Sequence, residues 1–432
     1  MKPLIVATLL GLLTSVSAAQ TIAIVGGTVH TVGPQGSIEN ATVIITDGRI
    51  AAVGSDIKPP DGANVIDASG KVVTPGLFTP DGYLGLVEVG LSAGPLDAVQ
   101  RGEQFTASFD VAEAFNPRST LIAINRIEGI TRALIVPRAA EPDLLGYTSN
   151  VISGLAAVVN LSGNTNSLDR RAAALVVNLG EGGVAYAGTS RASAQLLLRN
   201  ALDEALDYRE HGDAFERGQH RDYTLSLTDL EALQGVIAGD IPLFANVDRA
   251  SDIAALIRLS DDYNIRAIVS GGAEAWMHAE ELAAAKIAVI LGPADNLPAN
   301  FDRINARSES AAILAAADVR VMFADGDGHT HNARNIMQSA GNATVAGLSW
   351  DDSLRAITLT PAEVYGVADR VGSIEVGKIA DVIIWPADPL ELTSYPDQVF
   401  INGKSLPMTS RQTLLRDRYR DITSDEPPAY RN

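Results

Sequence analysis

The chain has 432 residues, a formal net charge of −19 and 46% hydrophobic residues. That length holds one large domain plus a smaller one around a sizeable core, and the acidic balance argues against nucleic acid or an anionic membrane as a partner, because both require a positive surface. There is no Cys, which excludes disulfides, Cys-based zinc sites, a thiol nucleophile and a lipoprotein anchor.

Residues 1–19 have the pattern of a secretory signal: Lys2, an apolar run from Leu4 to Leu13, then small residues up to Ala18 and Ala19. The run is about ten residues, too short to span a bilayer. The expectation is cleavage after Ala18 or Ala19, a periplasmic or secreted protein, and no membrane contact after cleavage. Residues 20–72 follow as short strands rich in Val, Ile and Thr, with Asp47-Gly48 as a hairpin turn. His30, alone on the first of these strands, reads as structural.

From Val73 short apolar runs alternate with helical segments, the pattern of βα units and a parallel sheet. Strands are expected at 131–136, 173–178, 241–247, 265–270, 287–291 and 319–324. Helices are expected at 192–208, 227–237, 251–263, 273–285 and 309–316. Residues 139–163 show no assignable pattern. Residues 373–408 return to strand-turn-strand, and 409–432 form a charged tail with Pro427-Pro428 near its end. The fold class is therefore α/β: a (β/α)8 TIM barrel over 73–372, plus a small β-sandwich built from both chain ends, 20–72 and 373–408.

Two stretches carry a family resemblance. Lys71–Leu86 reads KVVTPGLFTPDGYLGL. It resembles the first-strand signature of the amidohydrolase superfamily, in which Pro-Gly, two apolar residues and an Asp precede His-x-His. Pro75, Gly76, Leu77 and Phe78 match; Thr79 takes the Asp position, and Asp81 and Tyr83 take those of the two His. Around Gly372, Gly377, Lys378, Ala380 and Asp381 the chain is similar to the C-terminal signature of the same superfamily, and Thr360-Pro361-Ala362 matches the helix before it. The resemblance is to the periplasmic imidazolonepropionase-like amidohydrolases, and it implies hydrolysis of non-peptide C–N bonds in cyclic amides or amide-type substrates.

The resemblance also implies a zinc or other divalent ion at the barrel mouth, which lowers the pKa of bound water. Residue by residue, the ligand positions are filled otherwise. Asn246 and Asp248 stand where His-x-His is expected on the fifth strand, and Gly271 where His is expected on the sixth. Only Asp325, on the eighth, keeps the family residue, and it is the expected catalytic base. With the metal-binding histidines lost, no cofactor is expected. Asp81, Tyr83, Asn246, Asp248, Gly271 and Asp327 remain as barrel-mouth or substrate-binding residues. If Asp81, Asp248 and Asp325 converge, they need a hard cation or a guanidinium such as Arg249; otherwise Asp248 caps the helix starting near Ser251. Past Asp325 the run Asp325-Gly-Asp327-Gly-His329-Thr-His331 is either a polar surface loop or a fallback metal site using His329 and His331. His211 and His220 lie in a charged linker and His278 on a helix, all expected to face solvent. Two readings stay open: a hydrolase with an altered site that takes a small-molecule substrate, or a non-catalytic binding or scaffolding homologue, paired with an intact paralogous amidohydrolase subunit.

Overall fold

The computed structural model describes residues 21–89, 94, 96–100, 105–139, 151–292, 298–324 and 330–420. The expected signal segment, Asp325, Asp327, His329 and residues 421–432 lie outside these. Among the described residues no helix is long and apolar enough to cross a membrane.

Among the described residues sixteen strands form two sheets. In chain order they are β1 (Ile22–His30), β2 (Ser37–Thr46), β3 (Arg49–Gly54), β4 (Asn64–Asp67), β5 (Val72–Pro75), β6 (Leu77–Thr79), β7 (Ile130–Ile135), β8 (Ile152–Asn160), β9 (Leu168–Asn178), β10 (Leu243–Val247), β11 (Ala267–Gly271), β12 (Ala288–Leu291), β13 (Val321–Phe323), β14 (Val382–Trp385), β15 (Gln398–Ile401) and β16 (Lys404–Ser405). The first sheet joins the two chain ends in the order β16-β15-β14-β5-β1-β2-β3, with β4 also on β1. It is one forked sheet. Residues 22–25 of β1 pair with β4, and Thr28 and Val29 pair with β5. The fork falls at Gly26, whose φ of +82° suits glycine and coincides with a break in the β1–β2 register.

The second sheet is the barrel, with β6 to β13 in sequence order. Side chains alternate along its strands. Val176, Phe244, Ile268, Ile290 and Met322 fill the interior. Val177, Ala245, Val269 and Val289 pack outward in the core shared with the helices. Residues Leu359–Val364 and Tyr365 close the end opposite the mouth: Tyr365 is buried, and its hydroxyl donates to the Pro80 carbonyl at 2.7 Å.

One strand departs from the expected parallel pattern. β8 lies antiparallel to both β7 and β9. The reason is the link from β8 to β9, residues 161–167 only. A parallel crossover needs about a dozen residues or more, so a link this short can only make a hairpin.

The sheets meet through β14 and β15. Val382, Ile384 and Phe400 face the core of the first sheet, while Ile383, Trp385, Val399 and Ile401 face the barrel. A buried ion pair crosses the joint. Arg132 on β7 donates through Nε to Asp381 at 2.7 Å and through Nη2 to Asn402 at 2.8 Å, and also pairs with Asp169. Burial alone disfavours the charge on Arg132, but Asp381 and Asp169 outweigh it and hold the guanidinium charged. Burial pushes the Asp381 carboxyl up against the pull of Arg132. The geometry favours the ion pair, since Asp381 also accepts the Asn402 N–H at 2.8 Å.

His30 is structural: its ring packs on Trp350, centroids 4.4 Å apart, and its Nδ1 bonds the Ser37 hydroxyl at 2.6 Å. The expected tail carries a helix, Arg411–Arg420, started by the Ser410 hydroxyl accepting the Thr413 N–H at 3.3 Å.

Candidate functional site

The strand tips Asn178, Asn246 and Ser270 continue the inward set of Val176, Phe244 and Ile268, and so crown the barrel interior. Register holds the last two side by side, because Asn246 pairs with Ser270 across β10 and β11. With Asp81 and Tyr83, just past β6, they line a cavity of about 550 Å³. Asp248 and Gly271 also line it, as do Asn300, Asp302 and Arg303 from the segment after β12. Asp81, Tyr83, Asn246, Asp248 and Gly271 therefore face one cavity. His331 is exposed and lies outside the lining, and Asp325, Asp327 and His329 fall outside the described residues.

The polar groups are tied to one another. Asn246 Nδ2 donates to Asn178 Oδ1 at 2.9 Å, and Asn178 Nδ2 donates to the Ser153 hydroxyl at 2.8 Å. The Ser270 hydroxyl lies 3.4 Å from Asp81 Oδ2. Asp248 Oδ1 accepts the Ala273 N–H at 3.2 Å, and Oδ2 pairs with Arg303 Nε at 3.0 Å. Burial raises the Asp248 carboxyl above its ordinary range, partly offset by Arg303. Burial, followed by the charge of Asp81, pushes the Tyr83 phenol well up, so Tyr83 is a neutral hydroxyl.

Two expectations for Asp248 are corrected. It does not cap the helix Ala250–Tyr263; the first N–H of that helix, on Ala250, donates to Glu274 at 2.9 Å. A guanidinium does meet it, but from Arg303 and not Arg249, which pairs with Asp252 at 2.9 Å. Sequence reasoning missed Asn178, Ser270, Asp302 and Arg303. The inward alternation from Val176 and Ile268 was a usable signal for the first two. Asp302 accepts the Glu181 N–H at 2.7 Å and pairs with Arg191, which fixes the segment that carries Arg303.

The described donor set does not fit the family's zinc. Among the described residues no imidazole lines the cavity, and imidazole is the favoured neutral ligand. Tyr83 is held protonated. The Asn246 amide points its N–H toward Asn178, and both Asp248 oxygens are engaged. Position 271 resists a side chain: Gly271 has φ +96°, and a Cβ there would come 2.6 Å from Asp248 Oδ1. What the cavity offers instead is the amides of Asn178 and Asn246, the hydroxyls of Tyr83 and Ser270, and the carboxylates of Asp81, Glu181, Asp248 and Asp302, the last two paired with Arg303 and Arg191, groups that bind a polar molecule through hydrogen bonds.

The fold and one segment resemble known proteins. Residues 246–406 match the amidohydrolase family. An amidohydrolase from Thermotoga maritima superposes with a TM-score of 0.78 at 24% identity, over 89% of this chain and 99% of that one. The family match is confined to residues 246–406, and the superposition shows that the chain shares the fold of solved amidohydrolases. Molinate hydrolase shares the fold more loosely, with a TM-score of 0.52 at 19% identity over 90% of this chain and 95% of that one. Amidohydrolase tasK of Hapsidospora irregularis is 22% identical over 85% of this chain, and the match spans 39% of that protein's length. A 75-residue stretch is 41% identical to the imidazolonepropionase of Erwinia tasmaniensis, covering 16% of this chain and 18% of that protein.

Proposed function

We propose that the barrel mouth binds a small polar molecule bearing an amide or lactam group, and that the chain does not carry out metal-dependent hydrolysis there. The observation behind this reading is the pairing of the would-be ligand positions. Asn246 is committed to Asn178 and Asp248 to Arg303, which leaves amides, hydroxyls and the carboxylates of Asp81 and Glu181 around a cavity sized for a small molecule. The partner in this reading is the small molecule, together with an intact homologous amidohydrolase subunit if the chain acts in a pair. Resemblance to the periplasmic imidazolonepropionase-like group suggests cyclic amides as the first ligands to try.

The test is calorimetric titration of lactams, carboxamides and dipeptides into the purified protein, with and without chelator, beside a hydrolysis assay. Saturable binding unchanged by chelator is expected, without turnover. Asn246→Ala should weaken it roughly tenfold, about the worth of one lost buried hydrogen bond. Chelator-sensitive turnover restored by metal would overturn the reading. Turnover that resists chelator and disappears in Asp325→Ala would return the protein to the hydrolases, with Asp325 as base.

Export is proposed from residues 1–19. Intact mass of the soluble protein should show a chain starting at residue 19 or 20, and a retained Met1 would refute it.

A further inference from the structure

The helix Arg191–Glu216 is buried along its inner face only as far as Ala205. Beyond that point the linker at 217–226 folds back onto it. Buried Glu204 pins the linker by accepting the N–H of Thr224 at 2.9 Å and of Leu225 at 3.0 Å. Tyr223 packs on Phe215, centroids 4.9 Å apart, and donates its hydroxyl to Asp207 Oδ2 at 2.7 Å. His220 is stacked between Tyr223 and His211, with centroids at 5.4 and 5.2 Å. The two histidines expected to face solvent from a charged linker are thus held together beside Asp207.

We propose that Asp207, His211 and His220 form a zinc site that staples the linker to the helix. Their ligand atoms all lie within 4.8 Å of one another. His211 Nδ1 is 3.3 Å from Asp207 Oδ1, and His220 Nε2 is 3.2 Å from Asp207 Oδ2. Those separations are long for a charge-assisted hydrogen bond, which runs at about 2.7–2.9 Å. Each suits an N–O edge of a shell with bonds near 2.0–2.1 Å, about 3.3 Å; the two edges use different Asp207 oxygens, so the carboxylate faces the metal with both, and His211 Nδ1, now 3.2 Å from the Asp207 backbone carbonyl, would turn to the metal. His220 Nδ1 faces the Arg221 carbonyl at 3.2 Å, the contact that orients a ligating imidazole and leaves Nε2 for the metal. Tyr223 orients the carboxylate in the same way. Two imidazoles and one carboxylate select zinc or a neighbouring transition ion over calcium or magnesium. Water or the second carboxylate oxygen completes the shell.

The site is independent of the barrel mouth. Arg191, at the start of the same helix, pairs with Asp302 in the cavity wall. Asp207 follows sixteen residues later, about 24 Å further along the axis.

The test is zinc titration of the chelator-treated full chain, followed by calorimetry and thermal melting, with cobalt as a spectroscopic probe. One equivalent of zinc is expected, with a raised melting temperature and a tetrahedral cobalt band. His211→Ala and His220→Ala should each weaken zinc by roughly tenfold or more, since even loss of an orienting partner costs that much. His211 is exposed and His220 only partly buried, and neither belongs to the hydrophobic core, so the variants are expected to fold. Asp81→Asn, at the barrel mouth, should leave zinc affinity unchanged. No uptake of zinc or cobalt overturns the staple and leaves the barrel-mouth reading intact. Uptake that is lost in Asp81→Asn but kept in both His variants overturns both.

Discussion

Replacing Arg132 with Met is expected to destabilise the protein by about 3–5 kcal/mol, because it strands two carboxylates beside a buried joint. Arg132 and Asp381 are only 2% and 4% exposed, so water cannot take over the lost partner. The exchange also removes the bond to Asn402, which ties β7 of the barrel to the turn between β15 and β16. Urea unfolding of the purified variant measures the loss through its midpoint. A second variant, Arg132→Met with Asp381→Leu, should recover part of it, since an apolar pair of similar volume replaces a buried ion pair at little cost. A single variant within about 1 kcal/mol of the parent would show that the pair is solvated and that this account of the joint is wrong.

Gly76→Ala should be nearly as damaging. Gly76 is the one residue between β5 and β6, where the chain leaves the first sheet and enters the barrel. Its N–H donates to the Asp381 carbonyl at 2.9 Å. A Cβ at that position would come 2.1 Å from Thr131 Oγ1 and 2.4 Å from Thr131 Cγ2. Thr131 is fully buried and its hydroxyl bonds the Leu77 carbonyl at 3.3 Å, so it has no room to yield. Overpacking of this kind costs about 1–3 kcal/mol and sometimes more, and the contact with Thr131 puts Gly76→Ala at the upper end. Thr131→Ala in the same chain should restore part of the loss by emptying the space. If the double variant melts no higher than Gly76→Ala alone, the close approach is not the cause.

These two positions explain why the fold was legible. Pro75-Gly76 and Ala380-Asp381 carry the family resemblance, and both lie at the joint between sheet and barrel, where geometry admits few residues. Burial of β10 and β11 on both faces likewise makes each a short apolar run ending in a polar tip, Asn246 or Ser270. The hairpin of β8 was not legible, because its strand pairing is set by the length of a link and not by a pattern within the strand. The candidate site divides the same way. Asp81, Tyr83, Asn246, Asp248 and Gly271 follow from the family resemblance, position by position, and they line one cavity. Arg303 does not, because a guanidinium from a segment 55 residues away leaves no periodic trace beside Asp248. His211 and His220 read as solvent-facing because the sequence around them is a charged linker. Only the return of the linker, held by Glu204, brings them together.

The sharing of one sheet by both chain ends also sets an order of events. β5 is made early, yet its neighbour β14 is synthesised about 300 residues later. Entropy of closure grows only slowly with that separation, so equilibrium stability is barely affected. Time is affected far more. Until β14 arrives, β5 presents an unpaired edge of the kind that recruits other chains. The barrel forms in the interval and brings the two ends within reach of each other. The first strands to be made are therefore among the last to be completed, and this is the stage at which a slowly delivered C-terminus exposes the protein to aggregation.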